Sequence, residues 1–391
     1  MDLTAPAIFE IGLLLVLAVA AGWLSRRLGL PAVVGYIVVG LAVSPFTPGY
    51  VADRNRLQLL ADVGVVLLLF EVGIEIDPIR LGRERARLLL VAPAQTILST
   101  LVAFAVLRAL GLGIAGAALI GLAVALSSSV VVVNITRSRR RTTDRRTEVD
   151  LLGWSVVQDL TGVTVATVML LALGIGAGSG LRRAAGFLAF VALAVGAAWI
   201  LPRLLKRLAG QQDLFLILSL SAGLALAGIG SEMAGVPLAL AAFIAGLAVS
   251  EGDETAEARR RLLPFREVFA VLFFVSIGAL IDPGQVPGAL PWIGALLALV
   301  VAAKVLLIAL LASLARLRVR YRQLALGLGQ MGEFSFVLAS LAAGAGLVSR
   351  SVHAAVLATV AITIAASAVV VRIGYTRPPL QQKAALRKEM Q

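Results

Sequence analysis

Apolar segments long enough to cross a lipid bilayer recur along the whole chain. The chain is 60% hydrophobic, and it has no polar stretch long enough to form a separate soluble domain. The apolar segments are continuous rather than alternating, which indicates helices and not β-strands. We therefore predict an all-α polytopic membrane protein with about 13 transmembrane helices. The predicted helix centres lie near Leu15, Val39, Val66, Leu98, Val124, Val163, Val195, Leu220, Phe243, Phe273, Ala302, Gln330 and Ile362.

Basic residues are distributed unevenly between the two sides of this predicted bundle. With the N-terminus placed outside, the inner segments hold 28 of the 35 Lys and Arg residues and the outer segments hold 6. Short loops rich in Lys and Arg stay in the cytoplasm. We therefore expect a multi-pass protein of the cell (inner) membrane, with the N-terminus outside and the C-terminus cytoplasmic. The same bias explains the net charge of +13, so we expect no nucleic-acid partner.

The composition also excludes several kinds of chemistry. The chain has no Cys, which excludes disulfides and thiolate metal sites, and its single His excludes a multi-histidine metal centre. The sequence contains no phosphate loop, dinucleotide fingerprint or nucleophile motif. We therefore expect neither an enzyme nor a protein that needs a cofactor.

One acid stands out within the apolar segments. The 23-residue segment from Leu151 to Leu173 has Asp159 as its sole ionisable residue, preceded by Gln158. An ionised Asp at the centre of a spanning helix costs about 3 kcal/mol even on the lenient insertion scale. We interpret Asp159 as a site for a cation or a proton; the alternative is a structural buried acid that is hydrogen-bonded to Ser or Thr neighbours. Gln158 can supply a carbonyl ligand or a hydrogen bond, or it can simply pack against a neighbouring helix.

Two short sequences recur at nearly the same spacing. GLAVS at 40–44 returns at 246–250, an offset of 206, and LFEVGIEIDP at 69–78 is matched by FFVSIGALIDP at 273–283, an offset of about 205. This offset maps spans one to six onto spans eight to thirteen, which predicts two inverted six-helix repeats joined by the seventh span. The alternative is ordinary membrane-helix sequence, which favours small apolar residues.

The same offset pairs two spans that contain helix-weakening residues. Ser127 and Ser128 lie in the middle of the fifth span, and the twelfth span has three glycines around Gln330 and Glu333. Serine competes for backbone hydrogen bonds, and glycine weakens a helix. We predict that both helices are broken and cross each other near the middle of the membrane.

Two further charges lie within predicted spans. Lys304 is the sole ionisable residue between Asp282 and Arg316, so it needs a partner such as Asp159 or the broken helix ends. Its role is structural or part of transport, and the sequence leaves both open. Glu333 either compensates the dipole of a helix end or lines the ion path.

Five stretches carry a resemblance to a known family. They begin at Val33 (VVGYIVVGLAVSPFTPG), Gly64 (GVVLLLFEVGIEIDP), Gly153 (GWSVVQDLTG), Leu262 (LLPFREVFAVLFFVSIGALIDP) and Gly329 (GQMGEFSFVLAS). With these motifs the chain resembles the monovalent cation:proton antiporter-2 family. That family includes Kef-type potassium/proton antiporters and related sodium/proton exchangers, and the resemblance covers nearly the whole chain.

The resemblance implies an antiporter fold like that of NhaA and NapA, a homodimer, and transport by an elevator mechanism. It implies a single membrane domain over residues 1–391. The core bundle would include 86–174 and 290–372, the dimerisation helices would come from 6–76 and 213–281, and a linker helix would span 184–207. About twenty residues follow Arg372, so we expect no cytoplasmic regulatory domain in this chain.

The resemblance also implies roles for individual residues. Asp159 matches the aspartate that binds the ion and the proton in this family. Gln158 matches a position that is acidic in electrogenic members and Gln or Asn in the electroneutral Kef-like ones. The remaining matches are Lys304 as the basic residue of a core helix, Ser127 and Ser128 as possible ligands in the unwound stretch, and Glu333 as the acid of the second broken helix.

These observations predict a secondary active transporter that exchanges a monovalent cation, K⁺ or Na⁺, for a proton. Asp159 would bind one or the other and cross the membrane only when neutralised. One carboxylate per site would make the exchange one-for-one and electroneutral. The alternatives are a sodium-coupled symporter for an organic solute and an ion channel or sensor.

Overall fold

Every regular element of the described chain is a helix. The computed structural model describes residues 4–44, 54–75, 87–129, 131–132, 136, 144–174, 180–208, 210–234, 238–249, 255–279 and 281–373. The α-helices are α1 Thr4–Arg27, α2 Ala32–Ala42, α3 Arg54–Glu75, α4 Leu88–Ala109, α5 Ile114–Ala125, α6 Arg145–Ala172, α7 Gly180–Arg207, α8 Gln212–Ala234, α9 Leu238–Val249, α10 Thr255–Ala279, α11 Val286–Leu299, α12 Leu306–Leu314, α13 Tyr321–Gly327, α14 Glu333–Gly344 and α15 Arg350–Ile373. A 3₁₀ turn at Pro283–Gln285 precedes α11, and a π-helical segment, Val300–Val305, joins α11 to α12.

Local sequence sets where several of these helices begin and end. For example, α1 ends before Gly29, which adopts a left-handed φ of 83°, and α2 begins directly after Pro31. Glycine adopts that conformation without steric cost, and proline can begin a helix but not continue one. The short connection therefore turns the chain back at the end of α1.

Eight helices in the described part of the chain are long and apolar enough to cross a membrane. Three shorter apolar helices, Ala32–Ala42, Ile114–Ala125 and Phe334–Gly344, accompany them. Of the predicted span centres, Gln330 lies in a break between α13 and α14, and each of the others lies in a helix. The all-helical membrane fold is therefore confirmed, while the count of thirteen crossings stays a prediction.

Glycine contacts join the helices that carry the repeated sequences. A Cβ atom on Gly40 would lie 1.9 Å from the Val275 carbonyl oxygen and 2.8 Å from the Cα atom of Gly278. A Cβ atom on Gly73 would lie 2.8 Å from the Cα atom of Gly246. The offset of about 205 maps Gly40 onto Gly246 and Gly73 onto Gly278, so each contact is the counterpart of the other. Such paired contacts are expected of two repeats related by a two-fold axis.

The helices fall into two groups by the neighbours on which they pack. Helices α1–α3 pack with α8–α10 and form the first group. Helices α4–α6 pack with one another and with α11–α15, and these helices form the second group. The two groups meet partly through aromatic rings. The ring centroid of Phe336 in α14 lies 6.4 Å from the ring centroids of Phe273 and of Phe274 in α10. This grouping resembles the predicted core and dimerisation helices, whose division into separately moving bodies stays a prediction.

The contact at Gly40 should tolerate no side chain. We expect Gly40→Ala to lower the thermal unfolding midpoint of the detergent-solubilised protein, because overpacking of a close helix contact costs about 1–3 kcal/mol. The matched control is Gly228→Ala in α8, since a Cβ atom there would meet nothing within 4 Å. Equal midpoints for the two variants would contradict the close packing of α2 on α10.

Candidate functional site

Asp159 lies near the middle of α6 and is 1% exposed. Ser155 precedes it by one helical turn, so the two side chains share a face of the helix. Ser155 is 2% exposed, and its hydroxyl has no hydrogen-bond partner within the described part of the chain. The buried acid is therefore accompanied by a buried oxygen whose hydrogen-bonding capacity is not used by any described residue.

The first predicted helix break is present and lies beside α6. Helix α5 ends at Ala125, Leu126 has an extended backbone with ψ 142°, and no helix is assigned over 126–128. Ser127 and Ser128 are both buried at this point. The Ser127 hydroxyl donates a hydrogen bond to the carbonyl oxygen of Leu328 at 2.6 Å. The first break is thus tied to the second.

The second predicted break lies between α13 and α14, at residues 328–332. Gly332 crosses so close to the first break that a Cβ atom on it would lie 2.3 Å from the Ser127 carbonyl oxygen. Its backbone N–H donates to the Leu126 carbonyl at 3.2 Å. Glycine is therefore required at this crossing, and the predicted crossed broken helices are confirmed.

The side chain of Gln330 joins the two breaks. Its Oε1 accepts a hydrogen bond from the Ser128 backbone N–H at 2.7 Å. Its Nε2 donates to the Ser128 carbonyl at 3.3 Å and to the Gly327 carbonyl at 3.0 Å. One amide side chain therefore takes the place of helical hydrogen bonds that both breaks lack.

Gln158 is held in one orientation by groups of fixed hydrogen-bonding character. Its Oε1 accepts from the Ser127 backbone N–H at 2.9 Å, and its Nε2 donates to the Ala125 carbonyl at 3.0 Å. The Nε2 also donates to Oε1 of Gln95 at 2.6 Å. Both donors of the Gln158 amide are therefore in use, and its role as an ion ligand stays a prediction.

Lys304 lies in the π-helical segment and is fully buried. Its ammonium donates to the carbonyl oxygens of Leu126 and Gln330, each at 2.6 Å. These carbonyls belong to the two helix breaks, and the charge of Asp159 also acts on Lys304. The predicted contact with the broken helix ends is therefore present.

Glu333 is the first residue of α14, but its side chain lies outside the described part of the structure. Its two predicted roles stay predictions. A helix N-terminus beside the crossing favours an acidic residue on electrostatic grounds alone.

Sequence reasoning missed four polar residues of this region. They are Gln95, Ser99, Ser155 and Gln330, each of which is buried. A signal was available for two of them, because the apolar segment that forms α4 contains the polar residues Gln95, Thr96, Ser99 and Thr100 at helical spacing.

The donor set suits a hard monovalent cation rather than a transition metal. In the part of the chain that the structure describes, no three His, Cys, Asp or Glu residues come together as a metal cluster. Among its described side chains, the region offers instead the Asp159 carboxylate and serine hydroxyls, together with main-chain carbonyls, all of which are oxygen ligands.

A model of the transmembrane sodium/hydrogen exchanger family matches residues 14–373. The chain belongs to this family. YbaL of Escherichia coli (strain K12), a proposed cation/proton antiporter, is 33% identical over 372 residues, which cover 90% of this chain. The chain spans 65% of the length of YbaL.

A solved structure has the same fold. The sodium proton antiporter MjNhaP1 from Methanocaldococcus jannaschii, determined at pH 8, has a TM-score of 0.71. The comparison covers 96% of this chain and 99% of MjNhaP1 at 17% sequence identity. The likeness confirms the predicted antiporter fold.

Family membership confirms two predictions about the kind of protein. The exchanger family consists of membrane transporters, so the chain is a multi-pass membrane protein and not an enzyme.

The fixed orientation of Gln158 predicts the effect of a charge at that position. We expect Gln158→Glu to lower the thermal unfolding midpoint of the purified protein. A carboxylate would keep the acceptor for Ser127 but would face Gln95 Oε1 and the Ala125 carbonyl without a donor. A buried group left without its hydrogen bonds costs about 1–3 kcal/mol. The control is Gln211→Glu, at an exposed position, and equal midpoints for both variants would contradict the assigned orientation.

Proposed function

We propose that this chain is a cation/proton antiporter in which Asp159 binds either one proton or one monovalent cation, K⁺ or Na⁺. The observation that carries this proposal is the buried carboxylate of Asp159, whose neighbour Gln158 is hydrogen-bonded to the first of two crossed helix breaks. Membership in the sodium/hydrogen exchanger family supports it. The name of YbaL, which describes exchange of a cation for a proton, gives further support.

Burial makes occupancy of the site a condition for movement. A bare carboxylate in an apolar environment carries a large desolvation cost, which either a proton or a cation removes. Asp159 therefore crosses the membrane when it is neutralised by either ligand and stays in place when it is empty. Alternation between two ligands on one carboxylate couples their fluxes in opposite directions.

Oxygen atoms near Asp159 are suited to bind the cation. Ser155 lies one turn before it on the same helix face and has an uncommitted hydroxyl within the described chain. We assign Ser155, together with Ser127 and Ser128 of the first break, as the neutral ligands of the ion. Gln158 contributes by holding that break against α6 through the Ser127 N–H.

The charge inventory supports electroneutral exchange. Gln158 is neutral, so Asp159 is the one carboxylate contributed by the centre of α6. Lys304 donates two hydrogen bonds to break carbonyls, which gives its ammonium partners other than the Asp159 carboxylate. Each turnover then exchanges one proton for one cation and moves no net charge.

The packing of the helices is compatible with an elevator mechanism. The group that holds both breaks meets α9 and α10 partly through edge contacts of aromatic rings, such as Phe334 with Phe243 at 6.1 Å. Apolar contacts of this kind have no directional bonds that must be broken when two bodies slide. We propose that α1–α3 and α8–α10 form the fixed part of a homodimer in the inner membrane. The N-terminus would face outward and the C-terminus the cytoplasm.

Flux measurements in proteoliposomes test this function. With a pH gradient in place, addition of Na⁺, K⁺, Rb⁺ or Li⁺ should move protons across the membrane for wild type. Asp159→Asn should move none, because an amide does not release a proton when a cation binds. Asp213→Asn, at an exposed acid of α8, should keep exchange. A potential-sensitive dye in the same vesicles should report no change.

Each alternative gives a different result in that experiment. Ion flux without matching proton flux would indicate a channel, and proton or sodium movement that requires an added organic solute would indicate a symporter. Exchange that survives in Asp159→Asn, or that generates a membrane potential, would contradict the proposal.

A further inference from the structure

A chain of hydrogen bonds leaves the ion site through Gln158 and enters α4. The Nε2 of Gln158 donates to Oε1 of Gln95 at 2.6 Å, and Trp154 Nε1 donates to the same oxygen at 3.4 Å. The indole nitrogen can only donate, so it fixes which end of the Gln95 amide is the oxygen. Gln95 is completely buried.

The chain continues from Gln95 to the segment that carries Lys304. Gln95 Nε2 donates to the Ser99 hydroxyl at 2.9 Å, one turn further along α4. The Ser99 hydroxyl in turn donates to the carbonyl of Ala303, the residue before Lys304. Ala303 lies in the π-helical segment, where the wide turn changes the normal helical pairing of carbonyl groups.

These bonds form a closed one-way circuit. We define the circuit as the Ser127 N–H, the side chains of Gln158, Gln95 and Ser99, and the Ala303 carbonyl, with each group donating to the next. It closes because Lys304, bonded covalently to Ala303, donates to the carbonyl of Leu126, which is bonded covalently to Ser127.

Two backbone groups fix the direction of the hydrogen bonds in the circuit. The Ser127 N–H can only donate, and the Ala303 carbonyl can only accept. Reversal of either amide would also turn an oxygen toward the Ala125 carbonyl, which now accepts from both Nε2 atoms. Every link therefore supports a single arrangement of the others.

We propose that Gln95 and Ser99 are positioning residues for ion exchange, which hold Lys304 on the carbonyls of the helix breaks and thereby limit its pairing with Asp159. This inference rests on the proposed function, in which Asp159 binds the transported cation. Neither residue touches the ion. They act by anchoring the π-helical segment and thereby the starting point of the Lys304 side chain.

Opening the circuit should make Lys304 a stronger competitor for Asp159. Lys304 is buried, so an ammonium that loses its fixed position relative to the break carbonyls turns to the Asp159 carboxylate, whose charge acts on it already. A transported cation must then displace that ammonium. The apparent KM for the cation rises, whereas the maximal rate changes little, because the occupied site is unaltered.

Kinetics of Ser99→Ala in proteoliposomes test this proposal. We expect the KM for the best cation to rise about fivefold, the factor that matches the loss of one buried hydrogen bond, with the maximal rate within about twofold of wild type. Gln95→Met opens the same circuit at a different link and should raise KM in the same way. The double variant should be no worse than the more affected single variant, since one circuit can be opened only once.

The matched controls are Thr96→Val and Thr100→Val. Both hydroxyls lie buried in the same helix and donate to carbonyls of that helix, at Ala92 and Thr96. These variants should keep the wild-type KM. Thermal midpoints in detergent separate a kinetic effect from loss of folded protein.

The outcomes distinguish this inference from the proposed function. If wild type exchanges and Asp159→Asn does not, but Ser99→Ala and Gln95→Met keep the wild-type KM, the positioning role is overturned and the function stands. Additive effects of the two substitutions would also overturn the circuit. Absence of exchange in wild type would contradict the proposed function itself.

Discussion

Hydrogen bonding of interrupted backbone is the constraint on which this site depends. Within a bilayer, a backbone N–H or carbonyl without a partner costs several kcal/mol, so a broken helix is stable only where the protein supplies substitutes. Here Gln330 supplies them for Ser128, Gln158 for Ser127, and Thr363 for the Met331 N–H at 3.1 Å. Specific side chains therefore stabilise both breaks, and the same side chains maintain the geometry of the site.

The same carbonyls solve a second problem, the presence of a lysine inside the membrane. Lys304 donates to one carbonyl from each break, so the ends that lack helical partners and the ammonium that lacks water satisfy each other. This arrangement leaves Asp159 close enough to act on the lysine electrostatically. Among the described side chains, the region thus combines the Asp159 carboxylate, the Lys304 ammonium and backbone dipoles.

The sequence was sufficient where a residue conflicts with its surroundings. Asp159 and Lys304 stand alone in apolar segments, and the serines and glycines at 127–128 and 327–332 oppose helix formation, so both the acid and the breaks could be predicted. The contacts of Gly40 with Gly278 and of Gly73 with Gly246 follow the offset of about 205 residues between the two repeated sequences.

Residues whose role depends on helix rotation could not be identified in this way. The polar residues Gln95 and Ser99 stand out in the apolar sequence of α4, but their importance comes from facing Gln158 and Ala303 across helix contacts. Apart from Lys304, the π-helical turn at Val300–Val305 contains only Val and Ala, with no glycine or proline that distinguishes it from ordinary helix. Partner choice within a packed bundle is set by side-chain direction, which spacing along one helix does not determine.

Proton release on cation binding is the most direct test of competition at Asp159. The purified protein in weakly buffered detergent solution would be titrated with the cation that supports exchange, and both bound cation and released protons would be measured. Shared occupancy of one carboxylate predicts that near the binding midpoint each bound cation displaces up to one proton, and that Asp159→Asn releases none. Cation binding of unchanged affinity across pH, with no proton released, would contradict a shared site.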